Sequence, residues 1–221
     1  YSGYIFENNF FKNAFIEGNT SSNYQDFIFQ NNLILSNFSY SIRNIMLSTN
    51  VLFNHNLWVT TRSSGNDICF LTCSGLLLTN NIFVRRDAAN NASSCTFTNN
   101  ITFYPAGSTP PSAPWTINGN IDGGGNIHNQ DPQMVDQAVI NAGGSSYLTN
   151  YTIPAGPANN SGSDGKDMGL LFNVPPDPRP DLNWTVGLKS RIPYLSVMNI
   201  TNPVIGSGGT LNVAVEARKT N

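Results

Sequence analysis

Six times within its first 125 residues the chain writes a short apolar run, a polar pair ending in Asn, and a second apolar run. The copies read YIFENNFF, FIFQNNLI, VLFNHNLW, LLLTNNIF, CTFTNNIT and WTINGNID, and they align on Asn9, Asn32, Asn56, Asn81, Asn100 and Asn120. Successive copies stand 23, 24, 25, 19 and 20 residues apart. A unit that short cannot bury a core alone, so it must stack on its neighbours.

The columns of this alignment indicate what stacks. Three residues before the aligned Asn the side chain is apolar in every copy (Phe6, Phe29, Phe53, Leu78, Phe97, Ile117), and two before it is polar. One residue after the Asn it is apolar again, from Phe10 and Leu33 to Ile121. That alternation is the period of a β-strand, interrupted by a corner. Asn tolerates the left-handed backbone a sharp corner needs. Coils about 4.8 Å apart also let each Asn side chain bond to its copy above and below. The reading is therefore all-β: a right-handed parallel β-helix with an asparagine ladder. Further short strands are expected near 14–17, 41–47 and 67–71.

Composition narrows the partners. Only 11% of the 221 residues are charged and the formal net charge is −2, while roughly one residue in seven is Asn. No basic patch exists to neutralise phosphates, which excludes nucleic acid. Arg85-Arg86 is the one basic doublet of the coil region and reads as a solvated turn. No apolar run reaches the length of a membrane-spanning helix. Cys69, Cys73 and Cys95 form neither a disulfide framework nor, with His55 and His128, a zinc pattern, and read as buried thiols or as one bridge and a spare. The chain starts inside the repeat, as the C-terminal portion of something longer would.

These features resemble secreted right-handed parallel β-helix repeat proteins of the Bacteroidota surface type. Residues 1–125 carry the likeness through the Asn column. GNIHNQDPQMVD (125–136) and IPAGPANNSGSDGKDMG (153–169) resemble the closing phrases of that group, and 192–218 resembles its short terminal β piece. The resemblance implies export to the cell surface or beyond. It implies no single activity, because the group holds lyases, hydrolases and adhesins.

Residues 1–172 read as coils and a closing region, with a Pro-rich loop at 105–114, a last rung at 115–121 and a smaller final coil over 137–172. A stiff linker follows at 173–190, containing PPDPRP, and a β-hairpin or cap at 191–221.

Two residues after the aligned Asn stand Phe11, Ile34, Trp58 and Phe83. If the residue before each points inward, these four line the outer face. The C-terminal segment or a partner protein then lies over them, or they form an aromatic ledge for sugar rings, unless the phase slips at the corner. The column four before the Asn, Ile5, Ile28, Leu52 and Leu77, is apolar as well.

No catalytic constellation is visible. Glu7, Glu17, Asp26, Asp67 and Asp87 do not recur in register, as paired carboxylates for glycoside hydrolysis would need. Neither do Lys12, Arg43, Arg62, Arg85 and Arg86, which a lyase would use as base. Asp164 and Asp167, with Asp122 and Asp131, weakly suggest calcium, but turn chemistry accounts for them. No metal site or other cofactor is expected. Asn19, Asn37 and Asn183 open Asn-x-Ser/Thr triplets, which matter only in a eukaryotic secretory host.

The expectation is a non-catalytic, adhesin-like surface module binding a polysaccharide or a neighbouring outer-membrane protein. The alternative is a polysaccharide lyase or glycoside hydrolase whose active coils lie partly outside this chain.

Overall fold

The computed structural model describes residues 3–19, 22–37, 39–60, 67–172 and Trp184, with the backbone of Tyr194–Ile200 and Val213–Arg218. Arg62 and, Trp184 aside, the 173–190 linker with Asn183 lie outside the described residues, as does the GSGG stretch at 206–209. Two compact units divide at Gly187 and Leu188. In the second, Tyr194–Ile200 pairs antiparallel with Val213–Arg218, with a bulge between Leu195 and Val197.

The first unit is the parallel β-solenoid read from the repeat. One sheet stacks Ile5–Glu7, Ile28–Gln30, Leu52–Asn54, Leu77–Thr79, Thr96–Thr98 and Ile121–Asp122. Around the corner a second stacks Phe10–Lys12, Leu33–Ser36, Leu57–Thr60, Ile82–Val84 and Ile101–Phe103. A shorter third sheet joins Ile16–Glu17, Ile42–Arg43 and Phe70–Leu71. The strands pair in parallel and in the register of the repeat, Phe29 opposite Phe53 and Leu33 opposite Leu57. The rungs read at 14–17, 41–47 and 67–71 hold shorter strands, because positive-φ residues such as Asn44 and Thr72 turn the chain early.

The corner explains the doubled amide. Its first member, Asn8, Asn31, His55, Asn80 or Asn99, has φ between 51° and 57°. Its second member points inward and builds the ladder. Asn56 Nδ2 donates to Asn81 Oδ1 at 3.0 Å and to the Phe29 carbonyl at 2.9 Å. Asn56 Oδ1 in turn accepts from the N–H and the Nδ2 of Asn32, both at 3.0 Å. The same pattern links Asn9 to Asn32 and Asn81 to Asn100. A buried amide so placed leaves no donor or acceptor unused, which is what makes it tolerable inside.

Two sequence expectations change at this corner. The final ladder residue is Asn126 and not Asn120: Asn100 Nδ2 donates to Asn126 Oδ1 at 3.1 Å. Asn120 instead accepts from the Cys95 N–H at 2.9 Å. The rung read at 115–121 is a 3-10 turn, Pro114–Thr116, and the strand begins only at Ile121, opposite Thr96. Pro114 favours the turn, and the triple glycine at 123–125 lengthens the corner before Asn126.

Aromatic rings fill the interior. Phe6, Phe29 and Phe53 stack with centroids 4.7 and 4.6 Å apart, the spacing of the rungs. Trp58 packs on Phe53, Phe70 and Phe83. Each fully buried large apolar side chain contributes about 1.5–3 kcal/mol.

Candidate functional site

The outer apolar column is not where alternation across the corner placed it. Ile34, Trp58 and Phe83 are 6%, 1% and 0% exposed and belong to the interior, with Phe11 packed against its edge. The left-handed residue consumes one position in turning, so the phase resets there. The aligned Asn points in, the next residue out, and the one after in. No aromatic ledge exists at these four positions.

The column that does face outward on this sheet is Leu33, Leu57, Ile82 and Ile101, with Leu35, Val59 and Val84 beside it, and all are at most 1% exposed. The closing region covers them. Residues 137–172 form no regular coil; after the short helix Gln137–Asn141 they run back along the outside of the stack. The Ser161 carbonyl accepts from Asn99 Nδ2 at 2.9 Å, the Ser163 N–H donates to Asn80 Oδ1 at 2.7 Å, and the Leu171 N–H donates to Asn31 Oδ1 at 2.9 Å. Trp184 continues the line, its Nε1–H donating to the Asn31 carbonyl at 2.7 Å. The left-handed amides therefore serve twice, turning the corner and anchoring this strap. Gly169, at φ +77°, lies so close that a Cβ there would stand 2.7 Å from Ile82 Cδ1.

His55 replaces Asn at one anchor and is not isolated. Its Nδ1 lies 3.2 Å from the Gly169 carbonyl, and its Nε2 lies 3.2 Å from both Asp164 Oδ2 and Asn80 Nδ2. A protonated Nε2 donates to the carboxylate; a bare one accepts from the amide. The hydrogen bond from His55, opposed by partial burial, holds the Asp164 carboxyl down to about 2. Sequence reasoning missed this contact because its partners are 109 residues apart.

Several other charged groups are committed locally. The Arg85-Arg86 doublet is buried, against the solvated turn expected. Arg86 donates to Ser41 Oγ at 2.6 Å and to the Ile68 carbonyl at 2.8 Å, and pairs with Asp67 at 3.5 Å. Arg85 donates to the Asn141 carbonyl of the strap at 3.0 Å. Glu17 pairs with Arg43 at 2.6 Å, Asp26 accepts from Asn50 Nδ2, and Asp87 caps the turn at Ala89 and Asn90. Asp122, Asp131 and Asp167 each close a separate turn. Among the described residues, no three or more His, Cys, Asp or Glu side chains gather as a metal would need. Cys69, Cys73 and Cys95 are free and buried, and burial pushes the Cys69 thiol up to about 12.

What remains as a candidate is the outer face of the six-stranded sheet. Ile5, Leu77 and Ile121 are 61%, 36% and 56% exposed there, in one file with Ile28 and Leu52 and with Thr96 standing between Leu77 and Ile121. A polar file of Glu7, Gln30, Asn54, Thr79 and Thr98 runs parallel to it. The sequence singles out Ile5, Ile28, Leu52 and Leu77 of this file, and not Ile121, which the repeat aligns with Phe10 and Leu33. No helix among the described residues is long and apolar enough to cross a membrane. No protein-family model, curated protein or solved structure matches the chain.

Proposed function

We propose that the chain is a non-catalytic, adhesin-like module of a secreted or cell-surface protein, presenting the outer face of its six-stranded sheet to a protein partner. The carrying observation is the file of exposed aliphatic side chains Ile5, Leu77 and Ile121 on a regular sheet, rimmed by a polar file that carries one charge, Glu7. Contiguous apolar surface of this kind is what protein interfaces use. The burial of Trp58 and Phe83 favours a protein over a glycan, since it removes the rings on which sugars would stack. The commitment of Glu17, Asp67 and Asp87 to structural bonds favours a binding role over a hydrolytic or eliminative one. The resemblance to secreted β-helix proteins supports a place outside the cell.

The test is a double variant, Leu52→Lys with Leu77→Lys. Labelled wild type and variant are compared on immobilised surface proteins and on a glycan array. The expected result is a protein signal that falls at least tenfold in the variant, with an unchanged melting curve. Equal signals from the two proteins would dismiss this face.

A further inference from the structure

Three times the sequence sets a glycine directly after a side chain that can cyclise onto it: Asn118-Gly119, Asp122-Gly123 and Asp164-Gly165. In that chemistry the glycine's backbone nitrogen attacks the preceding Cγ. It needs a nitrogen free of other bonds and a group on Cγ that can leave.

The three places differ on both counts. The Gly123 N–H is spent on the Phe97 carbonyl at 2.7 Å, and the Asp122 carboxylate accepts from the Gly124 N–H and from Asn126 Nδ2. The Gly165 N–H donates to the Gly162 carbonyl at 2.9 Å. The Asp164 carboxyl, held down to about 2 by the hydrogen bond from His55, stays ionised, and a carboxylate has no group to expel. Asn118 instead carries an amide, whose nitrogen can leave as ammonia. The Gly119 N–H makes no hydrogen bond among the described residues, both residues are exposed, and a Cβ on Gly119 would meet nothing within 4 Å. The pair sits at φ +56° and +68° in a turn closed by the Asn120 N–H on the Ile117 carbonyl at 3.0 Å. The ladder amides Asn32, Asn56, Asn81 and Asn100 are by contrast buried, and each is followed by Leu or Ile.

The same amide is a staple. Asn118 Nδ2 donates to the Ala89 carbonyl at 2.5 Å and lies 3.3 and 3.4 Å from those of Ala92 and Asn90. The Asn118 carbonyl accepts from the Ser94 N–H at 3.3 Å. These bonds hold the turn against the loop that carries the buried Ala89 and Ala92. Close by in the chain, Trp115 packs on Phe97.

We infer that Asn118 is a self-modification site, and that its conversion to a carboxylate releases this turn once and for good. The Gly119 nitrogen gives its proton to water or hydroxide and bonds to Asn118 Cγ. The Cγ–Nδ2 bond breaks, Nδ2 departs as ammonia, and a cyclic imide remains. Water then opens the ring at either carbonyl. The products are aspartate and the isomer whose main chain runs through the side-chain carboxyl. Water has replaced ammonia, and nothing is oxidised or reduced. Both products lose the donor of the staple. In aspartate a carboxylate oxygen stands in its place against three carbonyls, and in the isomer the turn gains a methylene.

The experiment ages the purified chain at mildly alkaline pH and follows each Asn and Asp peptide by mass spectrometry. Asn118 should convert at least tenfold faster than Asn32, Asn56, Asn81 and Asn100, into both products, and Gly119→Ala should slow it at least tenfold. A second arm reads the release by hydrogen exchange. In the aged protein and in Asn118→Asp, exchange at Ser94 and Asn120 should speed at least tenfold, while Asn56 keeps the parent rate. An Asn118 still intact when the ladder amides have converted, or Asp122 or Asp164 isomerising at its pace, would overturn the site. Parent-rate exchange at Ser94 in both proteins would overturn the release.

Discussion

The two long sheets share a corner and a repeat, and each turns a row of aliphatic side chains outward, but only one row is sealed. Leu33, Leu57, Ile82 and Ile101 are at most 1% exposed, whereas Ile5, Leu77 and Ile121 range from 36% to 61%. The residues themselves do not distinguish the rows. What does is the segment that returns over one of them, pinned to the left-handed residues Asn31, His55, Asn80 and Asn99. In a solenoid, an apolar outer file marks a surface that something can cover, and the location of hydrogen-bond anchors decides which file the chain covers itself.

The comparison can be broken first at the shared corner, where neither face should matter. Asn56→Leu removes the Oδ1 that accepts two bonds from Asn32, stranding two buried donors, and should cost about 3–4 kcal/mol in urea unfolding. A loss below about 1 kcal/mol would mean that the ladder is incidental to stability.

The faces themselves come next. Leu57→Ala on the covered sheet should cost about 3 kcal/mol, as large-to-small changes in tight cores do. Leu77→Ala on the bare sheet should cost under about 1 kcal/mol, as surface changes do. Equal losses would show that the strap does not seal its face in solution.

The smallest effect lies in how the strap is held. Because the folded Asp164 carboxyl titrates near 2, below its ordinary 3.8, its contribution is complete above about pH 4 and is lost as pH falls from there toward 2. The wild-type melting midpoint should therefore fall more steeply across that window than that of Asp164→Asn. Parallel slopes would remove the His55 contact from the strap's attachment.

Much of the fold was legible because stacking makes each coil restate the last. Asn32, Asn56 and Asn81 could be aligned with no knowledge of anything distant. The inward or outward phase was not legible, because a single left-handed residue changes it and strict alternation has no symbol for a corner. Strict alternation therefore puts Trp58 and Phe83 outside when they lie inside. Asn120 misleads for a related reason: it keeps the spacing, but the glycines at 123–125 shift the last corner to Asn126. A cover from the C-terminal segment is among the sequence expectations, though over the wrong column; its anchors are not legible, because they join residues 83 and 140 positions apart with no repeat to announce them.

A stack of coils ordinarily behaves as a line of nearest neighbours that can fray or grow at either end. Here one belt of chain touches rungs near Asn99, Asn80 and Asn31 in succession, running against the order in which they were made. Losing any one of those rungs loosens the belt over the others, so melting should be all-or-none, with little peeling turn by turn. The same long-range closure comes last in folding, because loops this long must shut before their contacts repay them.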